Sequence, residues 1–226
     1  MSGSSSSAIE VRSSHAAALR QKMAFARGPA SVRFWTRPDL KQIFPEFLFL
    51  SHCIIRASVP LMCTAVEVAK SRPQDPVSRA LVEYFSHHVT EEADHDKWLL
   101  DDMESLGVGR EKVLQRIPPP EVAELVGAQY YWMQHFDPVV LLGYIAVLEG
   151  DPPREDELEA AAKRTALPHD AFRTFISHAK LDPHHKQELD DFIDSLPLAA
   201  SQQTAISVSA ISTIAGLCRV FTALTP

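Results

Sequence analysis

Two apolar helical stripes in this chain are each interrupted by three ionisable residues at the same spacing. Between Leu81 and Leu106 the residues that would share one helix face are Leu81, Phe85, His88, Glu92, His95, Leu99, Met103 and Leu106. Between Phe172 and Leu196 the matching series is Phe175, His178, Asp182, His185, Leu189, Phe192 and Leu196. Each reads His-x3-acid-x2-His. On an α-helix, positions i, i+4 and i+7 fall within roughly 40° of one another around the axis, so each segment would present a column of three side chains. Burying unpartnered carboxylates and imidazoles costs on the order of several kcal/mol each. The bland alternative is a pair of solvent-facing helices with surface His and acid, but the Leu and Phe flanks turn the triplets inward. A metal centre is the partner that would offset their burial.

The rest of the composition narrows the setting. A chain of 226 residues fits one large core, and a net charge of -7 with 46% hydrophobic residues is poor for wrapping nucleic acid. Cys53, Cys63 and Cys218 show no CxxC spacing and are odd in number, which argues against a thiolate metal site and for a reducing, cytoplasmic setting.

In chain order, Met1 to about Ser14 is Ser-rich and lacks the features of a signal peptide. Residues 1–26 are expected to be a largely disordered or weakly helical tail, with a short helix from His15 to Ala26, and 27–226 the folded domain. Phe34 to Phe49 is aromatic and is expected to cap one end of the fold. Glu46 to Lys70 is densely apolar, Pro60 should kink or split it, and His52 and Arg56 lie one turn apart within it. The first triplet belongs to a helix from about Val77 to Leu106, ended by Gly107 and Gly109. Tyr130, Tyr131 and Trp132 are expected in the core.

The segment Val139 to Glu149 is apolar nearly all round and should run through the middle of the fold. Glu149 either marks its end or supplies the further bridging carboxylate that two His-rich columns need. Pro183 follows Asp182 inside the second ligand helix and must remove one backbone hydrogen bond. Leu198 to Leu224 approaches the length of a membrane span but is rich in Ser and Thr, so it is expected to dock on the fold without spanning a membrane. No stretch alternates with period two, so the chain is expected to be all-α, a single-domain bundle of about seven helices.

The order His88, Glu92, His95, then Glu149 in YIAVLEG, then His178-x3-Asp182-x2-His185 resembles the heme-oxygenase-like diiron oxidases and oxygenases, the iron-containing redox enzyme family. The similarity runs from about Phe44 to Leu224. It implies a heme-oxygenase-like fold with two non-heme iron ions. It also implies activation of O2 and oxidation of a small metabolite, an amine, amino acid or fatty acid, by N-oxygenation, C-C cleavage or desaturation. Several members carry Glu at the place seven residues before the first ligand His, where this chain has His88. Ligation through Glu92, through both residues, or through Glu91 therefore stays open.

The donor types agree with that resemblance. Carboxylates and imidazoles without thiolate suit Fe(II), with Mn(II) also possible, and seven ligand candidates are too many for one ion. Two divalent ions balanced by Glu92, Glu149 and Asp182 leave a small positive excess that could hold a substrate carboxylate. Glu92 and Glu149, able to change binding mode, are the candidate catalytic carboxylates, and His52, Arg56 and Tyr144 the candidate substrate contacts. Two other classes compete: a metal-free, thiaminase-like or ring-oxidising enzyme of the same fold, and a helical partner-binding module with a degenerate site. A homodimer is compatible with all three. Heme chemistry fits poorly, because these columns would fill a heme slot with charge.

Overall fold

The structure is a computed structural model describing residues 14–27, 34–222 and 224. The Ser-rich segment up to residue 13 and the pair Gly28-Pro29 lie outside the described residues. Among the described residues there are α-helices and short 3-10 turns and no strands. The helices are α1 (His15–Arg27), α2 (Leu40–Ile55), α3 (Ser58–Lys70), α4 (Pro76–Glu91), α5 (His95–Ser105) and α6 (Arg110–Leu114), followed by α7 (Pro120–His135), α8 (Leu141–Leu148), α9 (Glu155–Thr165), α10 (Arg173–Ser195) and α11 (Ala200–Thr222). Taking α2–α3 and α4–α5 as broken rods, nine helices form the bundle among the described residues.

The first broken rod follows from Pro60. Proline lacks the N–H that would bond the carbonyl four residues back and its ring clashes with it. That carbonyl belongs to Arg56, and the helix breaks at Arg56-Ala57, leaving Pro60 in the first turn of α3 where proline is tolerated. The second break was not expected. The helix anticipated over 77–106 stops at Glu91, and Asp94 adopts a left-handed φ of 71° before α5 begins at His95. His88, Glu92 and His95 therefore do not form a column on one helix. Asp is among the few non-glycine residues that visit this conformation, so the turn needs neither Gly nor Pro to announce it.

Pro183 lies within α10, which is uninterrupted from Arg173 to Ser195. Helix α8 is buried at every position from Leu141 to Val147, and it packs on α11. Gly143 permits that contact, since a Cβ there would stand 2.2 Å from the carbonyl oxygen of Ile206. Both α11 and the α2–α3 rod are long and apolar enough to cross a membrane by length and composition, but here α11 packs against α8, α1 and α7.

The expected division of the chain near residue 27 does not separate α1 from the bundle, because α1 buries Ala16, Leu19 and Met23 and packs on α10 and α11. Phe34, Trp35, Phe44, Phe47, Phe172 and Phe175 form an aromatic cluster. In it Phe44 stacks on Phe172 at 4.3 Å and Trp35 meets Phe175 edge-on at 5.4 Å. The cluster fixes the start of α10 against α2. Of the aromatic trio on α7, Tyr130 and Trp132 pack against the core whereas Tyr131 is exposed, as three consecutive helical positions cannot share one face.

Candidate metal centre

Four helices bring the ionisable residues together: α4 and α5 at their junction, α8 at its end, and α10 in its middle. Helix α4 starts cleanly, with Asp75 accepting from the backbone N–H groups of Val77 and Ser78 ahead of Pro76. It buries Leu81, Phe85 and His88 on one face. Glu92 follows as its C-terminal cap and His95 opens α5. The positions of α5 and α10 are tied by Asp102, a fully buried carboxylate whose Oδ2 accepts from the backbone N–H of Thr174 at 3.0 Å. Burial holds the Asp102 carboxyl above its usual range.

Six of the seven residues in the two motifs and Glu149 are buried: His88, Glu92, His95, Glu149, Asp182 and His185, with His178 half-buried. Among the described residues two triplets have ligand atoms within 4.8 Å of one another, Glu92 with His95 and His178, and His88 with Glu92 and Glu149. Glu92 belongs to both. Its Oε2 contacts His95 Nδ1 at 3.0 Å, and its Oε1 faces His185 Nδ1 at 3.8 Å, too far for a hydrogen bond. On the other side His88 Nε2 lies 2.8 Å from Glu149 Oε1. The rings of His88 and His185 stand edge-to-face at 5.3 Å, and those of His95 and His178 at 5.0 Å.

The electrostatics of this cluster are those of a charged pocket short of cations. Burial pushes the His88 imidazole down, yet its hydrogen bond to Glu149 and the charges of Glu149 and Glu92 prevail and raise it to about 9. Burial together with Glu149 and Glu92 lifts the Asp182 carboxyl to about 8. Burial also works against the Glu92 carboxylate, but the His95 hydrogen bond and the nearby His178 and His88 hold it below its usual range. Burial lowers His178, whose Nδ1–H donates to the Thr174 carbonyl at 2.9 Å, leaving Nε2 as its free lone pair.

Whether a metal fits is decided by the atoms left over. Glu92 Oε1, Glu149 Oε2, Asp182 Oδ1 and His185 Nδ1 are all buried without a hydrogen-bond partner. Each such orphan costs about 1–3 kcal/mol. Glu92 and Glu149 belong to the triplets, whereas Asp182 and His185 are in neither, although His185 Nδ1 lies 3.8 Å from Glu92 Oε1. All are metal-ligating atoms of the hard or intermediate kind that suits Fe(II) or Mn(II). The residues present therefore fit a metal centre, with Glu92 shared by both triplets.

Residues 50–215 match the family described as iron-containing redox enzyme. The chain belongs to the iron-containing redox enzyme family. As a member of this family it is expected to carry the heme-oxygenase-like fold, and solved structures agree. A domain of unknown function with a heme oxygenase-like fold from Shewanella denitrificans OS217 superposes with a TM-score of 0.79 at 20% identity, covering 92% of this chain and 90% of that one. A TenA homolog from Pseudomonas syringae pv. tomato strain DC3000 superposes with a TM-score of 0.67 at 12% identity, covering 92% of each. No curated protein matches the chain.

Several residues sit differently from their sequence reading. Glu91 is outside both triplets and contacts His88 Nδ1 at 3.1 Å, behind the ring, where it can orient that imidazole. His52, Arg56 and Tyr144 are in neither triplet. His52 is buried, pushed down by that burial, with Nδ1 bonded to the Asp96 carbonyl and Nε2 unpartnered. Arg56 is half-buried at the α2–α3 break. Tyr144 is fully buried with its hydroxyl unpartnered, and burial raises it. Two aromatic neighbours went unnoticed in the sequence. Tyr84 stacks on Phe192 at 4.2 Å and on His88 at 5.5 Å, and Trp98 lies 4.0 Å from the His95 ring. Each is one helical turn from a candidate ligand, a spacing that would have found them.

Proposed function

We propose that this member of the iron-containing redox enzyme family is a non-heme diiron oxidoreductase that uses O2 to oxidise a small metabolite bearing an amine or a carboxylate. The observation that carries the reading is the pair of buried triplets sharing Glu92, together with their four unpartnered ligand atoms. In this reading His95, His178 and Glu92 hold one ion and His88, Glu149 and Glu92 the other, with Asp182 and His185 supplied by α10. Held by these residues, two iron ions would offer electrons for the reduction of O2. The chain's own part is to keep the site dry, to keep the imidazoles aimed, and to hold protons. Glu91 fixes the His88 ring from behind, and the Thr174 carbonyl fixes the tautomer of His178. N-oxygenation, C-C cleavage and desaturation are the reaction classes in view, and a small positive excess at the loaded site would favour an anionic substrate group.

The likeness to a TenA homolog favours one second reading, a metal-free enzyme in which His and Glu act as general acid and base on an organic ring. Oxygen uptake separates the two. Protein loaded anaerobically with Fe(II) and then mixed with O2 should consume it and develop transient visible absorption, at a rate altered by an amine or fatty-acid substrate. No uptake with any such compound, alongside turnover of an organic ring by metal-free protein, would replace the first reading with the second.

A further inference from the structure

Helix α1 precedes every residue of the metal centre, yet it is bonded to the two elements that must be held in register for the centre to form. Arg20 Nη1 donates to the carbonyl of Ala146 at 2.7 Å, and Arg20 Nε donates to Asp190 Oδ1 at 2.9 Å. Ala146 lies in the last turn of α8, three residues before Glu149, and Asp190 lies on α10 beyond Asp182 and His185. One guanidinium thus spans the end of the Glu149 helix and the helix of the second motif. Three further contacts tie α1 to the same two regions. Arg27, on the same face of α1 two turns on, donates to the Val147 carbonyl at 3.3 Å and pairs with Asp151, while Asp194 Oδ1 accepts from the backbone N–H of Ala16 at 2.9 Å.

The physical need for this strap is local. Helix α8 ends at Leu148, and its last carbonyls have no helical partner. Arginines at a helix C-terminus satisfy such carbonyls and complement the negative end of the helix dipole. The backbone of Gly150 makes room for the contact, since a Cβ there would stand 2.5 Å from Arg20 Nη1 and 2.2 Å from the Ala146 carbonyl oxygen. The Glu149 carboxylate meets His88 through one oxygen, and its other oxygen is unpartnered. The direction of its carboxylate therefore depends on where the end of α8 is pinned.

We propose that Arg20 is a positioning residue for the metal centre, fixing Glu149 relative to Asp182 and His185 by bridging the α8 carboxyl end to Asp190. The inference rests on the metal-binding reading given above. A planar guanidinium serves both partners at once, which an ammonium cannot do with the same geometry.

The test uses the full chain and Co(II) as the probe, reading bound ions per chain by equilibrium dialysis, the visible d–d spectrum, and the urea midpoint of metal-free protein. Arg20→Ala should fold cooperatively, lose at least tenfold in affinity for the weaker of two ions, and show the altered spectrum also given by Glu149→Ala. The double variant Arg20→Ala/Glu149→Ala should add nothing to Glu149→Ala alone, because both remove the same ligand. Arg20→Lys should recover part of the affinity. Should Arg20→Ala not fold, Arg20→Lys and Asp190→Asn read the same quantities and should each show a smaller loss with the same spectral change. Unchanged affinity and spectrum in variants that fold, or effects of Arg20→Ala and Glu149→Ala that simply add, overturn the inference while leaving the metal reading intact. Wild-type protein that binds no Co(II) or Fe(II) overturns the metal reading and this inference with it.

Discussion

Glu92 caps the end of one helix and His95 begins the next, and their side chains still meet at 3.0 Å across the turn between them. The contact survives the loss of the regular i, i+3 path because Asp94 takes the left-handed conformation and folds the chain back on itself. Glu92 is thereby turned toward both triplets, while Glu91, the last residue of α4, is left facing the far nitrogen of His88.

Opposite behaviour of these adjacent acids follows. Glu92→Ala should cut binding from two ions per chain to one or none, since the shared carboxylate is lost. Glu91→Ala should retain both ions and weaken binding by about tenfold or less, the cost of losing an orienting partner. Metal analysis after dialysis against Fe(II) under argon measures both, and equal losses would place the bridge elsewhere.

Loading the site should release protons. In the metal-free protein His88 is raised to about 9 and Asp182 to about 8, so both hold a proton at neutral pH that a ligand must give up. Calorimetric titration at pH 7 in buffers of differing ionisation enthalpy should report release of about two protons per chain. Release should fade as pH rises through these values, and affinity should rise over the same range. Proton-independent binding at pH 7 would mean that neither group is displaced.

Asp94 should tolerate only residues suited to its backbone. Asp94→Gly is expected to leave stability unchanged or raised by about 0.5–1 kcal/mol, whereas the β-branched Asp94→Val should cost about 1–2 kcal/mol and loosen the aim of His95. Urea unfolding checks both, and a neutral valine would argue against the left-handed turn.

The Asp102 carboxylate predicts a different failure. Asp102→Ala strips the Thr174 N–H of its partner in a buried place and should destabilise the fold by about 1–3 kcal/mol, with weaker metal binding as α10 shifts on α5. Asp102→Asn, which keeps an acceptor oxygen, should be milder. Thermal unfolding of the two variants side by side is the measurement.

What the sequence disclosed was the inward stripe. Phe85, His88, Leu99, Met103, Asp182, His185 and Leu189 are buried as periodicity requires, because the cost of burying or exposing the wrong face is large and repeats every turn. Glu149 is also buried against His88, though its isolated position at a helix end gave only an indirect argument. The break at Asp94 was invisible because a single left-handed residue leaves the apolar pattern on either side almost intact. The break at Arg56 was displaced from Pro60 by one turn, since proline acts on the carbonyl four residues behind it. The strap from α1 could not be read, because Arg20 meets Ala146 and Asp190 only after the whole bundle has closed.

The number and place of bound ions test the central claim most directly. Crystals grown and loaded anaerobically with Fe(II), with diffraction recorded on either side of the iron absorption edge, should show two anomalous peaks per chain, one beside His95 and His178 and one beside His88 and Glu149, with Glu92 between them. A single peak would reduce the centre to a mononuclear site, and the absence of any peak between the α4–α5 junction and α10 would contradict the account.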